Sequence, residues 1–161
     1  MADANDLGFE RGGLDDMRTN RKEIYVERGD CDPGGVVYCP NYLDYGAACT
    51  NALFERAGLP KQRMIRTYGI VGIPMVDLRA RVLEPCQYGD TIMVESYVSE
   101  WGKTSFSVHH KMWNGDVLAA EIFEKHVWVA REDKDSPRFK GKAIPQEVKD
   151  RLSNFYDGSR E

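Results

Sequence analysis

The sequence predicts an α+β fold in which a curved antiparallel β-sheet wraps around one long central helix. Three observations support this prediction. One amphipathic stretch covers residues 40–57, a strand-like segment precedes it, and about four alternating segments separated by turn residues follow it. A single sheet and a single helix of this length bury little apolar surface unless the sheet curls around the helix. A sheet that wraps the helix satisfies this requirement.

The first strand and the turn that ends it are predicted in the segment KEIYVERGDCDPGG. Ile24 and Val26 alternate with charged neighbours, as in a strand with one buried face. Pro33 then fixes φ, and the two glycines after it permit left-handed backbone. The strand is therefore expected to end in a turn just ahead of the helix.

The long helix is predicted from about Pro40 to Ala57. Its stripe at helical spacing consists of Tyr42, Tyr45, Cys49, Ala52, Leu53 and Arg56. Pro40 suits a first helical turn, and Gly58 followed by Leu-Pro is a stop signal. Three consecutive small residues, Gly46–Ala48, lower helix propensity at the glycine but let the helix lie close to another backbone. They predict tight packing of this helix on the sheet.

The remaining strands are predicted between residues 73 and 130, after a short helical turn at Lys61–Tyr68. Four segments carry the pattern: IPMVDLRARVLEP, TIMVESYVSEWG, TSFSVHHKMW and VLAAEIFEKHVWVA. QYGD, WGK and NGD separate them and supply the turn chemistry expected between antiparallel strands. Long, partly apolar strands such as Val117–Ala130 indicate that sheet edges or faces pair between subunits.

The predicted organisation is one domain with two flanking segments. The chain has 161 residues, which is most often one domain. We expect a loose polar leader at 1–20, the folded domain at 21–135, and a polar tail at 136–161. A short helix is predicted in the tail near Pro145–Phe155.

Composition and charge exclude several classes of protein. The formal net charge is −4 and no basic run interleaves with aromatics, which argues against nucleic-acid binding. No apolar run approaches the roughly 20 residues that span a bilayer, and the N-terminus lacks the apolar core of a secretory signal. The four cysteines have neither a disulfide framework nor the close pairs of a metal site. We therefore expect a cytoplasmic protein with reduced cysteines, no membrane contact, no metal and no cofactor.

Between the first strand and the helix, the motif Asp30-x-Asp32-Pro33-x-Gly35-x-Val37 is followed by Pro-Asn-Tyr at 40–42. Downstream come GLP at 58–60, GIVGIPMV at 69–76 and EWGKTSF at 100–106. In these residues the chain resembles the hotdog-fold acyl-CoA thioesterases, specifically the 4-hydroxybenzoyl-CoA thioesterase-like branch. The resemblance covers roughly residues 22–135.

The resemblance implies a hotdog fold, dimers with a continuous sheet and commonly a dimer of dimers, so we expect a homodimer or homotetramer. It implies that Asp32 is the catalytic carboxylate and that the backbone N–H of Cys39 polarises the thioester carbonyl. A carboxylate can serve as nucleophile or as base, and a helix N-terminus offers unpaired N–H groups. The substrate-binding residues implied are Gly35, Val37, Tyr42, Tyr45, Lys103 and Ser105. Coenzyme A enters only as part of the substrate.

Each candidate has a plainer interpretation. Asp32 before proline could simply begin a turn, and Asp30 is expected to bond loop N–H groups. Cys31 is expected to be a buried, inert thiol because no histidine is near it in sequence. His109 and His110 are adjacent on a strand, so one is expected to be solvated, and His126 is expected in a core or interface. A second basic group at Arg131, Arg138, Lys140 and Lys142 is expected to be solvated surface charge, with nucleotide binding as its alternative.

Two other functions are weighed against thioester hydrolysis. A hotdog hydratase or dehydratase generally uses a histidine near the helix, and residues 29–57 contain none. A non-catalytic acyl-CoA-binding protein would keep the pocket and dispense with the carboxylate, so Asp32 counts against it. The prediction is an acyl-CoA thioesterase acting on an aromatic, 4-hydroxybenzoyl-like, or short acyl group.

Overall fold

The computed structural model describes residues 19–154. Its helices and strands are β1 (Asn20–Tyr25), α1 (Cys39–Arg56), α2 (Lys61–Tyr68), β2 (Met75–Val82), β3 (Thr91–Trp101), β4 (Ser105–Asn114), β5 (Val117–Val127), β6 (Val129–Arg131), β7 (Phe139–Gly141) and α3 (Gln146–Ser153). A single 3₁₀ turn, Arg28–Asp30, lies between β1 and α1. The predicted long helix, the short helix after it and the four later strands are confirmed within a few residues of their expected bounds.

Five strands form one antiparallel sheet in the order β1-β3-β4-β5-β2. The long central strands β3, β4 and β5 follow one another in the chain and pair as neighbours. The strand after the helix, β2, pairs with β5 and so lies at the far edge from β1. This is the α+β arrangement that the sequence predicts.

The last predicted strand ends earlier than expected. The alternating pattern suggested one strand to Ala130, but β5 stops at Val127 and a separate hairpin of β6 and β7 begins at Val129. Trp128 marks the change, because its N–H donates to the carbonyl of Thr104 at 2.7 Å and its own carbonyl accepts from the N–H of Lys142 at 2.7 Å. Both partners are distant in sequence, so no local pattern could place this break.

The helix α1 divides the interior into two apolar clusters. The first lies under its N-terminal half and includes Val37, Tyr42 and Ile92. The second lies under its C-terminal half and includes Leu53, Phe106 and Trp128. Two residues of α3, Val148 and Leu152, are buried in the second cluster. The short helix predicted in the tail therefore closes one end of the core.

Gly46 is the point of closest approach between α1 and the sheet. A Cβ built on Gly46 would lie 3.0 Å from Oε1 of Glu124 and 3.3 Å from Cγ2 of Ile122, both on β5. The predicted tight packing is confirmed at this glycine. Its small neighbours Ala47 and Ala48 are exposed instead.

The edge strand β2 carries apolar side chains that are open to solvent. Val76, Leu78 and Val82 are exposed, and no strand among residues 19–154 pairs with the outer edge of β2. The opposite edge strand β1 instead exposes the charged side chains of Arg21, Lys22 and Glu23. Charged edges resist pairing with other chains, whereas an exposed apolar edge favours it.

Residues 1–18 of the leader expected at 1–20 lie outside the described residues, as do residues 155–161 at the end of the tail. β1 begins at Asn20, and the domain boundaries otherwise stay predictions. In residues 19–154, no helix has the length and apolar character needed to cross a membrane.

Candidate active site

The segment between β1 and α1 folds into a tight hairpin around Asp32. The N–H of Asp32 donates to the carbonyl of Val36 at 2.8 Å, and the N–H of Gly35 donates to the carbonyl of Asp32 at 2.9 Å. Gly35 has a φ of 85°, which favours glycine over other residues at this position. The Pro-Gly-Gly sequence thus turns the chain immediately after the aspartate.

The carboxylate of Asp32 is half-buried and only partly engaged. Its Oδ1 accepts a hydrogen bond of 3.3 Å from the N–H of Val36. Its Oδ2 has no hydrogen-bond partner within the described part of the chain. A Cβ built on Gly34 would lie 3.1 Å from Oδ1, so the glycine at this position leaves room for the carboxylate. One oxygen is therefore held and the other is available for chemistry.

Asp30 holds the hairpin rather than pointing away from it. Its Oδ2 accepts from the N–H of Glu27 at 3.0 Å and from the hydroxyl of Tyr45 at 2.8 Å. Its carbonyl accepts from the N–H of Tyr38 at 2.8 Å and from Nδ2 of Asn41 at 2.7 Å. The expectation that Asp30 bonds loop N–H groups is confirmed. The two aspartates of the motif have different environments.

Cys31, between the two aspartates, is partly buried and not fully buried as expected. It lies on one side of the hairpin in an antiparallel bridge with Val37, and its Sγ donates to the carbonyl of Glu27 at 3.7 Å. Cys31 packs against the edge of the first apolar cluster, which leaves its side chain partly exposed. All four cysteines lie within the described residues, and all are free thiols.

The start of α1 presents an unoccupied donor. Tyr38 is the N-cap residue and no side chain caps the helix, and the first turn contains no acidic residue. Pro40 has no N–H, and the N–H of Asn41 donates to the carbonyl of Tyr38 at 2.8 Å. The N–H of Cys39 is thus left without an acceptor among residues 19–154. An exposed N–H at the positive end of a helix suits a carbonyl oxygen that gains negative charge.

Three other predicted residues pack beside the Asp32 hairpin and the start of α1. Val37 is buried and its N–H donates to the carbonyl of Cys86 at 2.8 Å. Tyr42 is buried beside it, and its hydroxyl accepts from the N–H of Cys86 at 3.1 Å. Burial raises the pKa of Tyr42 to about 12. For Tyr45, burial and the hydrogen bond to Asp30 raise the pKa well above its usual value. The substrate-binding role of these residues stays a prediction.

Lys103 and Ser105 lie at the opposite end of the sheet from the Asp32 hairpin. Ser105 is the first residue of β4 and pairs with Val127, whereas the Asp32 hairpin bonds to Cys86, after the end of β2. Lys103 is exposed, and its carbonyl accepts from the N–H of Ile144 at 2.9 Å. Within one chain the structure brings Asp32, Gly35, Val37, Cys39, Tyr42 and Tyr45 together, but not Lys103 and Ser105.

The same far end contains a cavity that the sequence did not indicate. Its volume is about 750 Å³, and it lies between the C-terminal half of α1, the helix α2 and the start of β2. Apolar walls come from Ala47, Phe54 and Met64, and Met75 lies beside the edge of the sheet. Its lining also includes the cationic residues Lys61, Arg63 and Arg66.

A buried polar network adjoins this cavity. Glu124 on β5 is 2% exposed, and its Oε2 accepts from the hydroxyl of Thr50 at 2.5 Å and from Nε2 of His126 at 2.9 Å. Nε2 of His110 lies 3.1 Å from Thr50 Oγ1 and 3.5 Å from Glu124 Oε1. Burial alone would raise the pKa of Glu124, but the hydrogen bonds from His110, His126 and Thr50 outweigh it and lower the pKa to about 2.

The histidines are more buried than the sequence suggested. Because His109 and His110 are adjacent on β4, one of them was expected to face the core and the other to be solvated. His110 does face the core, but His109 on the opposite face is also only 8% exposed, so the expectation of a solvated histidine is wrong. Nδ1 of His109 lies 2.7 Å from the Tyr97 hydroxyl, and its Nε2 lies 3.0 Å from Oε1 of Glu121. These two residues lie on the neighbouring strands β3 and β5 and cover the His109 ring. Which residues lie opposite His109 depends on strand pairing, so the sequence around it could not indicate its burial. The alternating positions of Glu124 and His126 on β5 were the available signal for the cavity network.

Comparison with known proteins agrees with this architecture. Residues 26–152 match the thioesterase-like superfamily. The 4-hydroxybenzoyl-CoA thioesterase of Pseudomonas sp. (strain CBS-3) is 36% identical over 88 residues, which are 54% of this chain and 62% of that relative. The 1,4-dihydroxy-2-naphthoyl-CoA hydrolase of Synechococcus sp. (strain WH7803) is 26% identical over 113 residues, 66% of this chain and 74% of that relative.

A solved structure extends the similarity to the whole fold. The crystal structure of an aspartate-to-asparagine mutant of 4-hydroxybenzoyl-CoA thioesterase, complexed with 4-hydroxybenzoyl-CoA, superposes with a TM-score of 0.77. It is 27% identical and covers 84% of this chain and 99% of its own. The order of strands, the single long helix and the family match agree with one another. The chain therefore belongs to the thioesterase-like superfamily, as a hotdog-fold enzyme related to 4-hydroxybenzoyl-CoA thioesterase.

Proposed function

We propose that the protein hydrolyses an acyl-CoA thioester, with an aromatic, 4-hydroxybenzoyl-like, or short acyl group, to the free acid and CoA. The observation that carries this proposal is the pairing of Asp32 and Cys39. A carboxylate with one unengaged oxygen belongs to the same hairpin-to-helix segment as an unoccupied N–H at a helix start. The substrates named for the relatives support the acyl-CoA class.

Two routes use the same residues. In the first, Asp32 takes a proton from water, and the resulting hydroxide attacks the thioester carbon. In the second, Asp32 attacks directly to form a mixed anhydride, which water then hydrolyses. Either way the carbonyl oxygen gains negative charge and accepts a hydrogen bond from the Cys39 N–H, and the CoA thiolate leaves.

A homodimer paired through β2 would complete the site. Met75 begins β2 and lines the cavity, whereas the Asp32 hairpin contacts Cys86 and Gln87, just beyond the other end of β2. The seven-residue separation from Met75 to Val82 corresponds to about 23 Å of strand. In an antiparallel pair about a two-fold axis, the start of one β2 lies beside the end of the other. The hairpin of one subunit would then adjoin the cavity of its partner.

This arrangement gives a consistent path for the substrate. The acyl group would enter the cavity of one subunit, and the thioester would reach Asp32 and Cys39 of the other. Lys103 and Ser105 lie at the same end of the sheet as the cavity, because Ser105 pairs with Val127 and the N–H of Val127 donates to Pro74 at 3.1 Å. They would therefore come to the composite site, where the lysine can attract a CoA phosphate. The exposed apolar side chains of β2 support the dimer.

Hydrolysis of a panel of aromatic and aliphatic acyl-CoAs by the wild type and Asp32→Asn tests the proposal. The general-base route predicts a loss of kcat of about 100-fold or more with Asp32→Asn. Asp44→Asn, which neutralises an exposed carboxylate on α1, is the matched control and should retain activity. Detection of released CoA with a thiol reagent needs a protein blank because the chain has four cysteines.

Equal hydrolysis rates for the wild type and Asp32→Asn would show that Asp32 is not a catalytic residue. Tight acyl-CoA binding with no hydrolysis of any substrate would identify a binding protein instead. A trapped acyl-enzyme would select the nucleophilic route over the general-base route.

A further inference from the structure

One wall of the cavity beside α1 carries an excess of positive charge. Lys61, Arg63 and Arg66, all on α2, line it together with one carboxylate, that of Glu55. The three cations are exposed, and none of them forms an ion pair with a carboxylate of residues 19–154. This wall is therefore cationic in a chain whose formal net charge is −4.

The two arginines are neighbours on the surface of α2. They are three residues apart, the spacing that brings side chains together on one helix face, and like charges at this spacing repel. Nη1 of Arg63 donates to the carbonyl of Gly58 at 3.3 Å, which uses one of the five N–H donors of its guanidinium. Within the described part of the chain no other hydrogen bond to either guanidinium is formed. An anion between them would relieve the repulsion and accept hydrogen bonds from both.

The cavity differs from a basic patch on an open surface because its other walls are apolar. Ala47, Phe54 and Met64 supply those walls, and Met64 is buried in the core. The volume of about 750 Å³ is in the range of small-molecule sites, in which a few charged groups orient a largely apolar ligand. Such a site fits a ligand with an apolar body and an ionised end. Guanidinium groups suit a carboxylate in particular, because they can bind it through two parallel hydrogen bonds.

We propose that the cavity takes an acyl group that carries a second carboxylate, and that Arg63 and Arg66 are the specificity-determining residues that bind it. This inference rests on the proposed function, which puts the acyl group in the cavity. The aromatic or short body of the acyl group lies against the apolar walls, and its ionised end lies at α2. The phosphates of CoA are the other anions of the substrate, and they lie on the opposite side of the thioester from the acyl group.

Charged and neutral substrates of equal size test the proposal. The aromatic pair is 4-carboxybenzoyl-CoA and 4-carbamoylbenzoyl-CoA, and the aliphatic pair is glutaryl-CoA and its terminal amide. In at least one pair, kcat/KM of the wild type should favour the carboxylate by about 10-fold or more, as expected for hydrogen bonds to a charged group. The double variant Arg63→Gln, Arg66→Gln should bring this ratio to about one. Lys125→Gln removes an exposed cation on β5, outside the cavity lining, and should leave the ratio unchanged.

Thioesters of N-acetylcysteamine separate the carboxylate from the phosphates, because they carry the same acyl groups and no phosphate. Their kcat/KM ratio should show the same preference for the carboxylate in the wild type and lose it in the double variant. If the arginines bind phosphate instead, the variant will lower kcat/KM equally for both CoA esters of a pair and leave the N-acetylcysteamine esters unaffected. That result would overturn the proposal.

Binding to the wild type gives a second measurement that needs no variant. The 4-carboxy and 4-carbamoyl derivatives of phenacyl-CoA are thioethers that cannot be hydrolysed, and both carry the same CoA phosphates. Calorimetry should show tighter binding of the carboxylate. Because salt screens exposed charges, raising NaCl from about 50 to about 500 mM should narrow the difference between the two Kd values.

Equal kcat/KM values within both substrate pairs of the wild type would overturn the proposal, and so would a preference that the double variant retains. Asp32-dependent hydrolysis without any preference for the carboxylate would leave the proposed function standing and remove only the anion site. Salt-sensitive, preferential binding of 4-carboxyphenacyl-CoA, with no hydrolysis of any thioester, would support the anion site and remove the proposed function.

Discussion

The hydroxyl of Tyr45 donates a 2.8 Å hydrogen bond to Oδ2 of Asp30 and so joins the second turn of α1 to the hairpin that carries Asp32. Asp30 also accepts from the N–H of Glu27, while its carbonyl accepts from Tyr38 and Asn41. One residue thus connects the start of the hairpin, the start of the helix and a buried helix side chain. The position of Asp32 relative to the helix N-terminus depends on this junction.

Tyr45→Phe should loosen the junction without changing the reacting groups. Loss of one hydrogen bond to a charged acceptor should lower the free energy of unfolding by about 1–3 kcal/mol. We expect kcat to fall while KM for the acyl-CoA changes little, because Asp32 is displaced but the cavity is intact. Urea unfolding and steady-state kinetics check this. Tyr38→Phe removes a hydroxyl from an exposed tyrosine and is the control for stability. An unchanged stability of Tyr45→Phe would show that this hydrogen bond contributes nothing.

Gly46→Ala should destabilise the protein even though alanine favours helix. Alanine gains about 1 kcal/mol in helix propensity, but its Cβ would lie 3.0 Å from Glu124 Oε1. Glu124 cannot move aside easily because Thr50 and His126 hold its other oxygen. Overpacking costs about 1–3 kcal/mol, so we expect a net loss of about 1 kcal/mol in unfolding free energy. Ala48→Gly at an exposed position should lose about 1 kcal/mol from propensity alone. A stabilised Gly46→Ala protein would mean that α1 can move away from β5.

Glu124→Gln should change the pH dependence of the free energy of unfolding. The folded-state pKa of Glu124 is lowered from 4.5 to about 2, so its contribution is present at neutral pH and is lost as pH falls from about 4.5 to 2. A shift of this size corresponds to about 3 kcal/mol. The difference in unfolding free energy between wild type and variant should therefore shrink toward zero near pH 2. Chemical unfolding between pH 2 and 7 checks this, with the exposed Glu100→Gln as control. Parallel curves would contradict the ionised state of Glu124.

The Asp30–Asp32 segment shows how much of the site could be predicted from sequence. Proline and two glycines after an aspartate allow few backbone conformations, so the turn and the helix start that follows could be located by local chemistry alone. The catalytic role expected for Asp32, in contrast, rested on the resemblance to the thioesterase family and not on local geometry. The structure gives Asp30 the bonds that the loop needs.

The cavity network could not be predicted in this way. Thr50 and Glu124 are 74 residues apart, and they meet only because α1 crosses β5 at Gly46. The alternating pattern on β5 places Glu124 and His126 on one face but does not say that this face is buried. Likewise, the break after Val127 depends on the hydrogen bonds that Trp128 makes with Thr104 and Lys142, which are distant in sequence. These features follow from how the elements pack, and that information is not present in any short window.

A composite site between two subunits makes a prediction that a site within one subunit cannot. Asp32→Asn removes the carboxylate, and Ala47→Trp fills the cavity, so each protein alone should be nearly inactive. After subunit exchange in an equal mixture, half of the dimers are mixed, and each mixed dimer pairs one intact Asp32 with one intact cavity. The mixture should therefore recover about a quarter of wild-type activity, because one of the two sites in half of the dimers is complete. Leu78→Glu on the β2 edge should abolish both dimer formation, measured by sedimentation, and hydrolysis. No recovery on mixing, with exchange verified by mass spectrometry of differently labelled subunits, would contradict the composite site and indicate that each subunit uses its own cavity and its own Asp32.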